Sequence, residues 1–146
     1  MVFLCKKLKN IDVSSFDTKN VTNMEWMFSD CESLLNIDVS SFNTIKVTNM
    51  REMFYGCRNL IDLDLSNFNT VNVMYFNDMF YRCYNLIDLD VSNFVFQSKC
   101  DISGMFKSNV DQPTRIKVNK SINQKKLKEI KEDIRLYGFK AKIIYV

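Results

Sequence analysis

Four aspartates share one register of this chain: Asp12, Asp38, Asp64 and Asp90. Asn10, Asn36, Asp62 and Asp88 stand two residues before them. Carboxylates at such regular spacing could capture a cation or dock a basic partner. Close carboxylates also repel one another, so the arrangement carries a cost. The plainer account is a set of hydrophilic strand positions whose carboxylates accept hydrogen bonds from neighbouring serines. It is favoured over a metal site, while a general binding face stays open. Cys5, Cys31, Cys57 and Cys83 form a second file. Its neighbours lie within disulfide range, but a linear file cannot surround a metal tetrahedrally. Buried thiols are the expected state, and Cys100 stands off the file with no readable role. The chain has no histidine, so it lacks the commonest general base and metal ligand. No glycine-rich phosphate loop is present, and carboxylates occur only as repeated files, unlike a unique acid–base pair. The reading is of a protein that is not an enzyme, with no cofactor and no metal.

What positions these files is a repeat of 26 residues. Met1, Met27, Met53, Met79 and Met105 are in register, and so are Phe16, Phe42, Phe68 and Phe94. A fixed period of this size marks an array in which each unit buries its apolar face only by stacking on the next. Leu60, Leu63 and Leu65 spell Leu-x-x-Leu-x-Leu, and the pattern recurs at Leu8, Leu34 and Leu86. This is the strand segment of a leucine-rich repeat, and alternation sends residues 63 and 65 inward with Asp62, Asp64 and Ser66 outward. Val47, Met50, Met53, Phe54 and Cys57 are spaced by three or four, which predicts a short helix capped by Thr44, Thr48 or Asn49. The phenylalanine file predicts an aromatic spine, and the methionines fill the wedge between strand and helix.

The fold expected is α/β: a leucine-rich-repeat solenoid with parallel strands on the concave side and short helices on the convex side. About four units occupy residues 1–109. The pattern decays in the last, with Phe96 in the threonine file, Lys99 in the valine file and Asn109 in the cysteine file. Residues 110–146 predict a strand-helix-strand cap. Its strand at Arg115–Val118 is one residue out of register. Ser121 opens its helix with Gln124 as capping-box partner. Leu127, Ile130, Ile134 and Tyr137 form the helix's apolar stripe, Gly138 stops it, and 140–146 form the final strand. The chain starts in mid-unit. That suggests a fragment of a longer array, or self-association through the uncapped N-terminal end.

Charge divides the chain. Residues 1–106 carry 9 Lys+Arg against 13 Asp+Glu, and residues 107–146 carry 11 against 4. Lys120, Lys125, Lys126, Lys128 and Lys131 could meet nucleic acid or anionic lipid. Interleaved Glu129, Glu132 and Asp133 favour a solvated helix face instead, so no nucleic acid is expected. No stretch approaches the ~18–20 apolar residues of a membrane helix, so no membrane insertion is expected. The first residues place charge after a short apolar run, the reverse of a secretory signal. Glu25 before Arg51 and Glu32 before Arg58 predict ion pairs between adjacent units. Trp26, Tyr55, Tyr81 and Tyr84 are candidate partner-contacting aromatics.

Residues 37–44 (Ile-Asp-Val-Ser-Ser-Phe-Asn-Thr), 47–54 (Val-Thr-Asn-Met-Arg-Glu-Met-Phe) and 57–60 (Cys-Arg-Asn-Leu) resemble the BspA-like leucine-rich-repeat proteins, in the branch abundant in mycoplasmas. The resemblance covers residues 1–106. It implies a bacterial surface-displayed or lipid-anchored array that binds host or matrix proteins. It brings no catalytic residues and no transferable ligand residue. This chain departs from it in showing no export signal and few repeats. The expected function is a protein-interaction or adhesion module whose binding face carries Asp12, Asp38, Asp62, Asp64, Asp88 and Asp90. The alternatives are a purely structural end of a longer array, or an anion binder acting through the basic cap.

Overall fold

The computed structural model describes residues 5–107, 114–136, 138 and 141–146. Met1, Asn109, Tyr137, Lys140 and the expected boundary at 109–110 lie outside the described residues. Consecutive 26-residue units are hydrogen-bonded to one another through their backbones. Asn23, Asn49, Tyr75 and Asp101 pair in parallel, each with its counterpart one unit on.

Where the spacing predicts a short helix, the chain runs through successive tight turns. Met27, Ser29 and Cys31 donate back to Met24, Trp26 and Phe28, closing three-residue steps. The intervening amides point along the stack: Met24, Trp26, Phe28 and Asp30 donate to Asn49, Arg51, Met53 and Tyr55 of the next unit. Local bonds thus alternate with bonds between units. The same scheme recurs from Met50 to Gly56 and from Phe76 to Arg82. Residues with left-handed backbone enforce it: Trp26, Asp30, Glu52, Asp78 and Arg82, with Gly56 and Gly104. A non-glycine residue there costs roughly 1–2 kcal/mol. The amides of Trp26, Asp30, Glu52, Gly56, Asp78 and Arg82 all donate to the next unit, which offsets that strain. A turn repeat also explains the three-or-four apolar spacing, because i to i+3 turns bring the same residues inward as a helix would.

Spacing decides between the two structures. Helices pack about 8–10 Å apart, whereas hydrogen-bonded strands sit about 4.8 Å apart. Turns that bond unit to unit keep the step on this side equal to the step on the strand side. The expected strands are sparse as well. Leu35 donates to Lys9 and Ile61 to Leu35. Among the described residues, only Asp88–Asp90 (β1) in the repeats pairs as a regular strand, and it does so against the C-terminal part.

That part comprises β2 (Thr114–Val118), α1 (Gln124–Leu136) and β3 (Ala141–Tyr145), in a parallel sheet of order β1-β2-β3. The register partner of Asp88 is Arg115 rather than Thr114, the one-residue offset expected from sequence. The helix begins later than expected. Asn123 Oδ1 accepts the amides of Lys125 and Lys126, so Asn123 is the cap, while Ser121 bonds Asn119 in the preceding turn. Lys126 does not face water. It is 3% exposed, and its Nζ donates to the Cys100 carbonyl and pairs with Glu129. Asp133 accepts the Gly104 amide at 2.6 Å. These two contacts pin α1 to the last unit, and they give Cys100 a role through its backbone. No helix of the described residues is long and apolar enough to cross a membrane.

The core is a set of files. The inward residues of each unit (Phe54, Met53, Cys57, Leu60, Leu63, Leu65, for example) are buried against their counterparts in the neighbouring units. The continuous aromatic stack is Phe28–Phe54–Phe80–Phe106, with ring centres 5.5, 6.0 and 6.4 Å apart. In the expected spine, Phe16 and Phe42 stack at 6.5 Å, while Phe94 turns to Phe76 at 5.7 Å. Both files are buried apart from the half-buried Phe16, but the spine runs through the turn side.

Candidate functional site

The burial alternation along the strand segment is as the sequence predicts: Leu63 and Leu65 are buried, and Asp62, Asp64 and Ser66 are exposed. Asp12, Asp38, Asp64 and Asp90 lie on this outward face, but each is first a turn residue. Its Oδ1 accepts the amide of the serine two positions on, at 2.9 Å from Ser14, Ser40 and Ser66 and at 3.0 Å from Ser92. The Ser14 hydroxyl and amide hold Asp12 below the ordinary carboxylate pKa, and Ser40 does the same for Asp38. At Asp64 the Ser66 amide contributes most, followed by its hydroxyl. Burial works against the shift at Asp90, but Ser92 and Lys117 still bring it low. These carboxylates therefore stay charged well into acid.

The six acids are not equivalent. Arg115 of β2 pairs with Asp88, and Lys117 lies 3.5 Å from Asp90. Strand β2 thus neutralises the last unit of the acidic face. Among the described residues no cation pairs with Asp12, Asp38, Asp62 or Asp64. A depression of about 410 Å³ opens on this face between Asp62, Asp64, Asp88, Asp90 and Lys117. Among the described residues, no three Cys, Asp or Glu converge as a metal site would require.

Two features of the frame escaped the sequence reading. Thr44 is buried. It donates to the Asn69 carbonyl at 3.0 Å and accepts the Asn69 amide at 2.8 Å, and Thr18 treats Asn43 in the same way. Asn67 and Asn93 each reach back with one amide nitrogen to three carbonyls of the preceding unit. The signal was present: threonine follows each phenylalanine by two residues until Phe96 breaks the file. Phe96 instead packs edge-on to Phe76 at 5.4 Å.

All five cysteines are thiols, with Cys31, Cys57, Cys83 and Cys100 buried. Cys57 and Cys83 donate to the Phe28 and Phe54 carbonyls. Burial pushes Cys31, Cys57 and Cys100 up, and Cys83 up to about 12. In the unfolded chain these thiols ionise near pH 9. The stability they contribute is therefore complete below about pH 9 and is lost as pH rises above it, for Cys83 as pH approaches about 12. For Cys83 alone that is on the order of 4 kcal/mol. The thermal midpoint is expected to fall steeply above pH 9, and Cys83→Ala to flatten that decline. An alkaline slope unaltered by the substitution would remove the thiol from the explanation.

The remaining candidates are tied into the chain itself. Arg51 lies 3.7 Å from Glu25, as expected, and 2.9 Å from Glu52. The expected Glu32–Arg58 pair is not formed: Glu32 takes Lys6, and Arg58 sits over Tyr84. Residues 6, 32, 58 and 84 share one file, so Arg58 chooses between a carboxylate and a ring. Trp26 is exposed, whereas Tyr55, Tyr81 and Tyr84 are half-buried. Tyr55 and Tyr81 lie 5.1 Å apart, with Arg82 and Lys107 over the Tyr81 ring. An exposed apolar file went unnoticed in the sequence. Leu35, Ile61 and Ile87 occupy one register position beside Asn36, Asp62 and Asp88, and Ile61 is 61% exposed.

This geometry defines a chain of repeated 26-residue units bonded to one another and closed by a strand-helix-strand element. Its residues 1–131 match the family described as Mycoplasma protein of unknown function, DUF285, and the chain belongs to that family. No curated protein and no solved structure matches it.

Proposed function

We propose that the chain is a leucine-rich-repeat stack of the BspA-like kind, serving at a bacterial surface as a non-enzymatic protein-interaction module. The observation that carries this reading is the outward face. There Asp38, Asp62 and Asp64 project from a frame held by inter-unit bonds and lack a cation partner among the described residues. Such a face steers a basic partner and sets its register. The lack of histidine and the repetition of each carboxylate in files support a binding role over catalysis.

The test is recovery of matrix and serum proteins on the immobilised chain, compared with an Asp38→Asn, Asp62→Asn, Asp64→Asn variant. Asparagine can still accept the amide two residues on, so the turns survive while the charge goes. A retained protein is expected to fall at least tenfold with the variant and to be shed in raised salt. Equal recovery on both chains would remove the acidic face from the function.

A further inference from the structure

The acidic files do not stand alone on the outward face. Leu35, Ile61 and Ile87 are exposed beside them, one residue before Asn36, Asp62 and Asp88. An aliphatic file in water beside a file of unpaired carboxylates is an amphipathic strip. Its acidic half has a complement within the chain, for β2 sets Arg115 against Asp88 and Lys117 near Asp90. Past that point towards the N-terminus the acids lack such a cation among the described residues, and the aliphatic file continues beside them through Ile61 to Leu35, with Lys9 at its end.

Spacing selects the shape of what fits. The files step by about 4.8 Å from unit to unit. A helix laid along the stack brings one side chain to the strip per turn, every ~5.4 Å. A strand in the same direction brings one every ~6.6 Å. Over two unit steps the helix drifts by about 1.2 Å and the strand by about 3.6 Å. A helix stays in register across three units, whereas a strand leaves it. We infer that the outward face receives a basic amphipathic helix of a partner polypeptide, its aliphatic stripe on Leu35, Ile61 and Ile87 and its lysines or arginines on Asp38, Asp62 and Asp64. This rests on the binding role proposed above and adds to it the partner's chemistry and shape.

Three synthetic peptides of equal charge test it against the full chain by fluorescence anisotropy. One is a helical Lys/Leu peptide of eight-residue blocks with leucines at i, i+3, i+4 and i+7 and lysines elsewhere. One has the same composition with strictly alternating Lys and Leu. The third is oligolysine. The helical peptide is expected to bind at least tenfold tighter than the other two. Ile61→Ser should abolish that advantage without weakening oligolysine, and Ile61→Thr, which keeps the branched side chain, should reduce it by less. Asp38→Asn with Asp64→Asn should weaken all three. Equal affinity for the helical and alternating peptides, or an Ile61→Ser chain that still prefers the helix, overturns the inference. If oligolysine binds as well as the helical peptide and the Asn variant weakens both, the acidic face stands and this inference fails. If no peptide binds, both fail.

Discussion

Phe54→Ala is expected to destabilise the chain by about 3–5 kcal/mol, the range for removing a fully buried ring from a core that cannot collapse around the gap. Phe54 has no exposed surface and sits between Phe28 at 5.5 Å and Phe80 at 6.0 Å. Each neighbour is held by backbone bonds to the next unit: Phe28 donates to Met53, Phe54 to Met79 and Phe80 to Met105. The rings therefore cannot slide together to fill the void without breaking those bonds. Chemical denaturation of wild type and variant measures the difference. A loss below about 1 kcal/mol would mean that the ring file is not a packed spine.

Thr44→Val comes next, at about 2–3 kcal/mol. Valine matches threonine in shape, so the change isolates the hydroxyl. That hydroxyl both donates to and accepts from Asn69 of the following unit, and Thr44 is buried. Its loss leaves the amide and the carbonyl of Asn69 without this partner in a part-buried contact, and each group left unsatisfied there costs about 1–3 kcal/mol. Thr48 supplies the control. Its hydroxyl donates to the Thr22 carbonyl at an exposed position, where water can replace it. Thr48→Val is expected to cost no more than about 0.5 kcal/mol. Equal effects at the two sites would show that the threonine file does not tie the units together.

The period was legible because every buried file repeats it: Met27, Met53 and Met79, or Cys31, Cys57 and Cys83. So was the inward and outward alternation at Leu63, Asp64 and Leu65, which needs only the geometry of an extended chain. The late register of Arg115 was readable too, from the displaced Ile116 and Val118. The turn run was not. Helices and i to i+3 turns place the same residues inward, so Val47, Met50, Phe54 and Cys57 fit both. What separates them is backbone sign at Trp26, Glu52 and Asp78, where no glycine announces it. The burial of Lys126 was hidden for a similar reason, since one lysine among four on a helix looks solvated until its nitrogen meets the Cys100 carbonyl. In the candidate face the acids were found and the aliphatics missed. Ile61 and Leu35 carry no mark of exposure in their residue type, but Leu60 and Leu34 turn inward and leave the next residue in solvent.

The relation of unit to unit is tested most directly by thermal unfolding, followed by circular dichroism, of two internal deletions. Removing residues 53–78 takes out one whole repeat and joins Glu52 to Met79, which restores the sequence of each file and every inter-unit bond in kind. Removing residues 53–65 takes out half a repeat and sets Ser66 where Met53 stood, so that turn residues face strand residues along the rest of the stack. If the units are bonded one to the next, the whole-repeat deletion keeps a single cooperative transition at a lowered midpoint, and the half-repeat deletion has none. Equal behaviour of the two chains, whether both fold or neither does, would contradict the stacking of units on which every surface described here depends.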